Sequence, residues 1–326
     1  MKTITDSSIF QSSAVAAERK FEPLDSCWIC EGRDFDRIHQ GRFEFSAYIE
    51  QDPEIAEYTG HKFWLARCRN CGFAQPDLMP TLPNYFDRMY DQHWSAEWIE
   101  QEFDSCAKDF IFRTVLDSLG QRVSTGQRRL LDIGAHVGQF IHMADGAGWQ
   151  AEGIELNPRT SEFAARKTGL PVHRVNAHQL ASEGKNYNAV TLLDVLEHIP
   201  CPVKLLSHVN DLLDAGGWIA IKVPCGRNQL LKENLRARIR RGYRVSVADN
   251  LVHVNHFSAS SLRLALEKTG FDHIKINIGA PELSGTRSDL LRLGVYRIGR
   301  LTPFGLHTPL ALNLQAYAQK AERTSS

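Results

Sequence analysis

From Gly126 onward the chain alternates short apolar runs of β type with stretches whose apolar residues recur at helical spacing. The β-type runs are RRLLDI, QAEGIEL, PVHRV, NAVTLLDV, GGWIAIKV, FDHIKINI and LNLQAYA. Helical stretches at 138–147, 158–168, 202–213 and 258–269 lie between most of them. This alternation predicts an α/β fold, a doubly wound sheet whose ligands gather at the carboxyl ends of its strands. NAVTLLDV is almost continuously apolar, as a central parallel strand buried on both faces must be. The stretch 281–308 does not fit the alternation.

Upstream, apolar residues from about Asn84 to Leu119 also keep helical spacing, Phe103, Ala107, Phe110, Ile111, Val115 and Leu119 among them. This run ends at Gly120 and passes into the polar turn VSTGQ. Four segments follow: a Ser/Ala-rich flexible lead-in over 1–20, a cysteine-paired module over 21–80, a helical connector over 81–125, and the α/β domain over 126–326.

With 326 residues, 43% hydrophobic, 23% charged and a formal net charge of zero, the composition is that of a globular protein, not a generally basic nucleic-acid binder. No apolar run reaches the roughly 20 residues that span a bilayer. The first 20 residues hold no continuous apolar core of a signal peptide, and seven cysteines in so long a chain do not suggest a disulfide scaffold. The expectation is a cytoplasmic protein without membrane insertion; the oligomeric state is not legible.

RRLLDIGAHVGQF carries the most chemistry. A strand ends at Asp132, and Gly134 and Gly138 bracket a bend that opens a helix, where glycine lets the backbone turn and a ligand approach. The next strand delivers Glu155, a carboxylate able to accept both hydroxyls of a ribose. Asp132 would repel a pyrophosphate, so a nucleoside without phosphates, cationic or amino-bearing, fits better. Read without its context, the bend is equally an ordinary strand-to-helix turn.

The block 126–326 resembles the class I S-adenosylmethionine-dependent methyltransferases, which implies their seven-stranded Rossmann-like sheet. LLDIGAHVGQF is similar to their first motif, Asn176-Ala177 follows the third strand where they place a residue beside the adenine, and LLDVLEHIP resembles their D-x-x-E-H-I/V-P stretch. The resemblance implies that Asp132, Gly134 and Gly138 hold the methionine end, Glu155 the ribose, and that Asp194 borders the methyl-transfer pocket. Related enzymes often use an aromatic residue ahead of the first motif, which points to Tyr90. His136 replaces a frequent glycine, and it is expected to point away from the ligand.

Cys27-Trp-Ile-Cys30 and Cys68-Arg-Asn-Cys71 are two C-x-x-C pairs, enough thiolates for a tetrahedral Zn²⁺. Four thiolates leave no open position, so the metal would fold the module and not catalyse. Redox chemistry is the rival reading. The layout, with the second knuckle reading CGFAQ, also resembles zinc-bearing sugar methyltransferases. There a stretch like HEHLSYFS lies where this chain has VHVNHFS, placing His253 on that family's active-site histidine.

Methyl transfer is a displacement on a sulfonium, so the protein aligns the acceptor and handles its proton. Candidates for that work are Glu197, His198 and His253, with His256 more readily a structural histidine. Five arginines between Arg236 and Arg244 suit a phosphate- or carboxylate-bearing acceptor, an RNA contact or a solvated helix face. The expected activity is methylation of a small molecule, a sugar or sugar nucleotide among the options, on oxygen, nitrogen or carbon. The alternatives are an RNA methyltransferase with a zinc module and a non-catalytic methyltransferase-like binding protein.

Overall fold

The computed structural model describes residues 20–91, 95–124, 126, 128–301 and 305–322. The flexible lead-in expected over 1–20 therefore lies, but for Lys20, outside the described residues.

The N-terminal module is built from β1 (Phe21–Pro23), β2 (Phe35–Arg42), the single-turn α1 (Pro53–Ala56), β3 (Lys62–Cys68), β4 (Ala74–Pro76) and β5 (Leu78–Pro80). Strands β2, β3 and β4 form an antiparallel sheet, while β1 pairs with β5. Phe43, Phe45, Tyr58 and Phe63 make its aromatic core, which is completed by Tyr85 and Met89 and by Ala248, Leu251 and Val254 from far along the chain. The module thus shares a core with a loop of the α/β domain.

The helical spacing of 84–119 resolves into three helices: α2 (Tyr85–Asp91), α3 (Ala96–Asp104) and α4 (Asp109–Gly120). Ser95 caps α3 by accepting the Trp98 amide, and the polar stretch at Ser105 turns extended and ends it. The three helices bury their apolar faces in different places: α2 on the aromatic core of the N-terminal module, α3 against Val137 and Phe163, and α4 against Leu130 and Phe140.

The α/β domain follows in the order β6 (Arg129–Ile133), α5 (Gln139–Gly146), β7 (Gln150–Ile154), α6 (Pro158–Thr168), β8 (Val172–His173), α7 (Ala177–Ser182), β9 (Tyr187–Leu193), α8 (Pro202–Leu212), β10 (Leu213–Pro224), α9 (Gly226–Ile239), α10 (Ala259–Lys268), β11 (Phe271–Ile278), α11 (Ser288–Leu301) and β12 (Asn313–Lys320). The seven-stranded sheet has the order β11-β12-β10-β9-β6-β7-β8, parallel throughout except at β12, which is antiparallel to both neighbours. Ala189, Val190 and Leu192 of β9 and Ile219, Ala220 and Ile221 of β10 are fully buried, as their continuous apolar runs require. The order reverses at β6 and β9, so their carboxyl ends open the crevice where a ligand of such a sheet is expected.

Local signals place the helices. Asn157 caps α6 with Pro158 in its first turn, and Gly169 closes it in the left-handed conformation. The stretch 281–308, which fits no alternation, contains α11. Leu290, Leu291, Ile298 and Leu301 of that helix face outward, while Tyr296 packs on the core against Phe110 and Gly299 lies against Ile278 of β11.

Candidate active site

At the carboxyl end of β6, Asp132 is 3% exposed and its carboxylate accepts a hydrogen bond of 2.5 Å from Thr191 Oγ1 of β9. Burial, reinforced by the nearby negative charge of Glu155, pushes its pKa up to about 7. The bend that follows needs its glycines. Gly134 has φ +79°, and a Cβ there would lie 2.4 Å from Val195 Cγ2; Gly138 has φ +84° and closes against Ala164. Glu155 folds back onto the bend, accepting the His136 amide at 2.8 Å and the Asn157 amide at 2.9 Å, one on each oxygen. A carboxylate has about four lone-pair sites, so acceptor capacity remains for a ligand. Its pKa is raised by burial.

Asp194 ends β9 with φ +59° and receives Lys222 Nζ on both carboxylate oxygens, at 2.5 and 2.6 Å. Asp132, Gly134, Ala135 and Asp194 line one cavity with Glu102 and Lys108 of the α3–α4 region, which pair at 2.9 Å. Gln139 ties this roof down by donating to the carbonyls of Phe103 and Ser105.

His136 does not point away, as the sequence reading expects. It lines the cavity, half-buried, with its ring edge-on to Trp98 at 5.4 Å. Trp98 and Phe103 pack with Ile99, Val137 and Phe163, so α3 lies over the bend and draws the imidazole inward. Burial, helped by Lys108, lowers its pKa to about 4, which keeps the ring neutral.

Asn176 caps α7 through a reciprocal pair with Gln179, and its side chain is spent on that turn; Ala177 is buried beneath it. Neither lines the cavity. Tyr90 lies elsewhere too: its hydroxyl sits 2.7 Å from His198 Nδ1 and donates to the Val252 carbonyl at 2.9 Å.

Tyr90 thereby joins the second group of candidates. His198 Nδ1 is 2.6 Å from the Val252 carbonyl, which fixes the proton on Nδ1 and leaves Nε2 as an acceptor, 3.9 Å from Glu197 Oε1. The rings of His198 and His253 meet at 4.8 Å. Glu197 is 2% exposed, and burial, with Asp194 adding like charge, holds its pKa well above the carboxylate range. Burial above all, with the positive charge of Lys222 nearby, depresses His253 to about 3. His256 is structural: its ring contacts the His253 carbonyl, and its backbone exchanges two hydrogen bonds with Ala74 of β4.

The four cysteines converge. Cys27 Sγ lies 3.6 Å from Cys71 Sγ and Cys30 Sγ 3.4 Å from Cys68 Sγ, all four within 4.8 Å of one another. Metal–sulfur bonds of about 2.3 Å at tetrahedral angles set sulfurs about 3.8 Å apart, so the group fits a zinc ion far better than disulfides of about 2.05 Å. The cluster docks on the α/β domain through the Ser260 hydroxyl on the Cys71 carbonyl and through Phe73 against Phe257.

A family model described as "Methyltransferase domain" matches residues 104–276, over half of the chain. The chain belongs to this methyltransferase family. The matched residues run from the end of α3 to within β11, so the α/β sheet carries that domain. Among similar proteins are ubiquinone biosynthesis O-methyltransferases. That of Burkholderia ambifaria is 32% identical over 98 residues, covering 28% of this chain and 42% of the relative. That of Bordetella bronchiseptica is 26% identical over 167 residues, covering 47% and 68%. The chain thus spans under half the length of the first of these relatives. A solved S-adenosylmethionine-dependent methyltransferase from Archaeoglobus fulgidus aligns with 65% of this chain and 97% of its own, at 21% identity and a TM-score of 0.44. Among the described residues of the methyltransferase, no helix is long and apolar enough to cross a membrane.

Sequence reasoning passes over Lys222, Thr191, Glu102, Lys108 and Trp98. Lys222 leaves a signal, a lone cation inside the apolar strand GGWIAIKV, where only a paired charge is tolerable. The roof residues leave none, because their relation to the cavity is fixed by how α3 and α4 pack.

Proposed function

We propose that the methyltransferase moves a methyl group from S-adenosylmethionine to an oxygen of a small-molecule acceptor. The observation that carries this reading is the shared cavity at the ends of β6 and β9, where the buried Asp132 and the paired Asp194 flank a bend that only glycine can make. Two carboxylates beside a close backbone suit a cationic nucleoside and would repel a phosphate. Asp132, Gly134 and Gly138 hold the methionine end in this reading. Glu155, Asn176 and Ala177 serve the ribose and adenine, and Asp194 borders the transferred methyl. When bound, the cofactor supplies the electrophilic methyl on a sulfonium, so the protein's task is alignment and proton handling. His253, neutral at physiological pH, and His198 Nε2 present acceptor nitrogens to an incoming hydroxyl, with Glu197 behind them. Tyr90 positions His198 through the Val252 carbonyl.

Oxygen is favoured over nitrogen and carbon by the activity for which the relatives are named. Those relatives lend no support to a sugar acceptor. The neutral charge and the absence of a proline-aromatic tetrapeptide after β9 speak against RNA. We assign residues 21–80 to a structural zinc module held by Cys27, Cys30, Cys68 and Cys71, residues 81–125 to a helical connector, and 126–326 to the catalytic domain.

Isothermal titration with S-adenosylmethionine tests the reading. Zinc-loaded wild type binds in the micromolar range, and Asp132→Ala and Glu155→Ala each weaken binding severely. A wild type that binds no S-adenosylmethionine overturns it.

A further inference from the structure

Glu197, His198 and His253 leave donor atoms that the hydrogen bonds of the site do not use. Glu197 Oε2 and His253 Nδ1 are both buried without a hydrogen-bond partner. Glu197 is 2% exposed, so water does not satisfy it from outside. Leaving a buried carboxylate oxygen unpaired costs about 1–3 kcal/mol or more, a penalty that folded proteins seldom carry without a function. Lys222, whose charge acts on Glu197, is already held by both oxygens of Asp194.

From these observations we infer that Glu197, His198 and His253 form a second metal site, binding a divalent cation of the manganese-to-zinc series beside the methyl-transfer cavity. One ligand atom from each lies within 4.8 Å of the other two. In a bound site, bonds of about 2.0–2.2 Å bring neighbouring ligands to about 3 Å apart, so side-chain rotations close the remaining gap. Two imidazoles and a carboxylate suit this class of ion better than magnesium or calcium, which prefer oxygen alone. His198 is oriented as metal-binding histidines are: its Nδ1–H is engaged by the Val252 carbonyl, backed by Tyr90, and Nε2 is left for the ion. The site differs in kind from the cysteine cluster. Three protein ligands leave coordination positions open. The inference rests on the methyl-transfer reading for the ion's purpose: with His198 and His253 ligating it, the ion meets the acceptor hydroxyl in place of the imidazoles and makes it more acidic. It does not rest on that reading for the ion's binding.

The test uses the whole chain with its cysteine site filled with zinc and loosely held metal removed by dialysis against chelator. Manganese(II) is titrated and read by the loss of its free electron-paramagnetic-resonance signal. The expected result is one ion per chain with micromolar-range affinity, weakened about tenfold or more in Glu197→Gln and in His253→Asn. Zinc content and S-adenosylhomocysteine binding are unchanged in both variants. Pulsed resonance on the wild type reads nitrogen coupling from two imidazoles, and it needs no variant to fold. Failure of the wild type to bind manganese while it binds S-adenosylhomocysteine overturns the site, as does binding without nitrogen coupling. Failure to bind S-adenosylhomocysteine overturns the methyl-transfer reading instead, whatever manganese does.

Discussion

Replacing Asp132 with asparagine separates what this carboxylate costs the fold from what it gives the cofactor. Burial raises its pKa from 3.8 to about 7. That rise is worth about 4 kcal/mol, and the group is fully enclosed, so solvent screening does not dilute it. Because the folded chain holds this proton more tightly than the unfolded one, its stabilisation is complete below the unfolded value. It is lost as pH rises through the folded value near 7. Between pH 5 and pH 8 about 2–3 kcal/mol disappears. The amide of the Asp132→Asn variant keeps a hydrogen-bonding oxygen for Thr191 and has no charge to desolvate. Urea unfolding of the variant and of wild type at pH 5, 6, 7 and 8 reads the difference directly, since every other titrating group is common to both. The variant gains on wild type by about 2–3 kcal/mol across that range. Over the same range the affinity of wild type for S-adenosylmethionine rises as the carboxylate ionises, whereas the variant binds weakly and without that rise. Parallel stability profiles would refute the reasoning, because the charge would then be no burden to the fold.

Gly134→Ala forces a left-handed backbone on alanine, about 1 kcal/mol, and drives a methyl into Val195, about 1–3 kcal/mol more. Introducing it in a Val195→Ala background removes the second part only, so thermal melts of the four proteins should show a coupling of about 1 kcal/mol or more. Cys68→Ser breaks the four-thiolate set; hydrogen exchange should then rise in 20–80 and also in 252–257, because Ala74 and His256 share backbone hydrogen bonds. Unchanged protection at 252–257 would show that the loop stands without the module.

All seven strands of the main sheet are legible in the sequence: β9 and β10 because strands buried on both faces have to be apolar almost throughout, and the outer ones, such as β11 with its mixed burial, from their short β-type runs between helical stretches. The placing of Asp132 and Glu155 at the carboxyl ends of β6 and β7 is legible because each stands at the close of a β-type run. The break of 84–119 into three helices is not, since apolar spacing reports the buried side of a helix and is indifferent to short interruptions. The inward turn of His136 escapes for a related reason. Its direction is set by Trp98, 38 residues earlier, and no local pattern records that pairing. Tyr90 reads as a cover for the cofactor, yet it stands with His198, because α2 packs on the loop around Val252 and not on the glycine bend. Helix α11 is hidden since its leucines face outward, and the alternation belongs to elements packed on the sheet.

Strand β12 enters the sheet between β10 and β11, though it is made after both. Until residues 313–320 have left the ribosome, β10 and β11 each present a bare edge to whatever passes, an invitation to mispairing between nascent chains. The last of the seven strands to be made is therefore the keystone that joins β10 to β11.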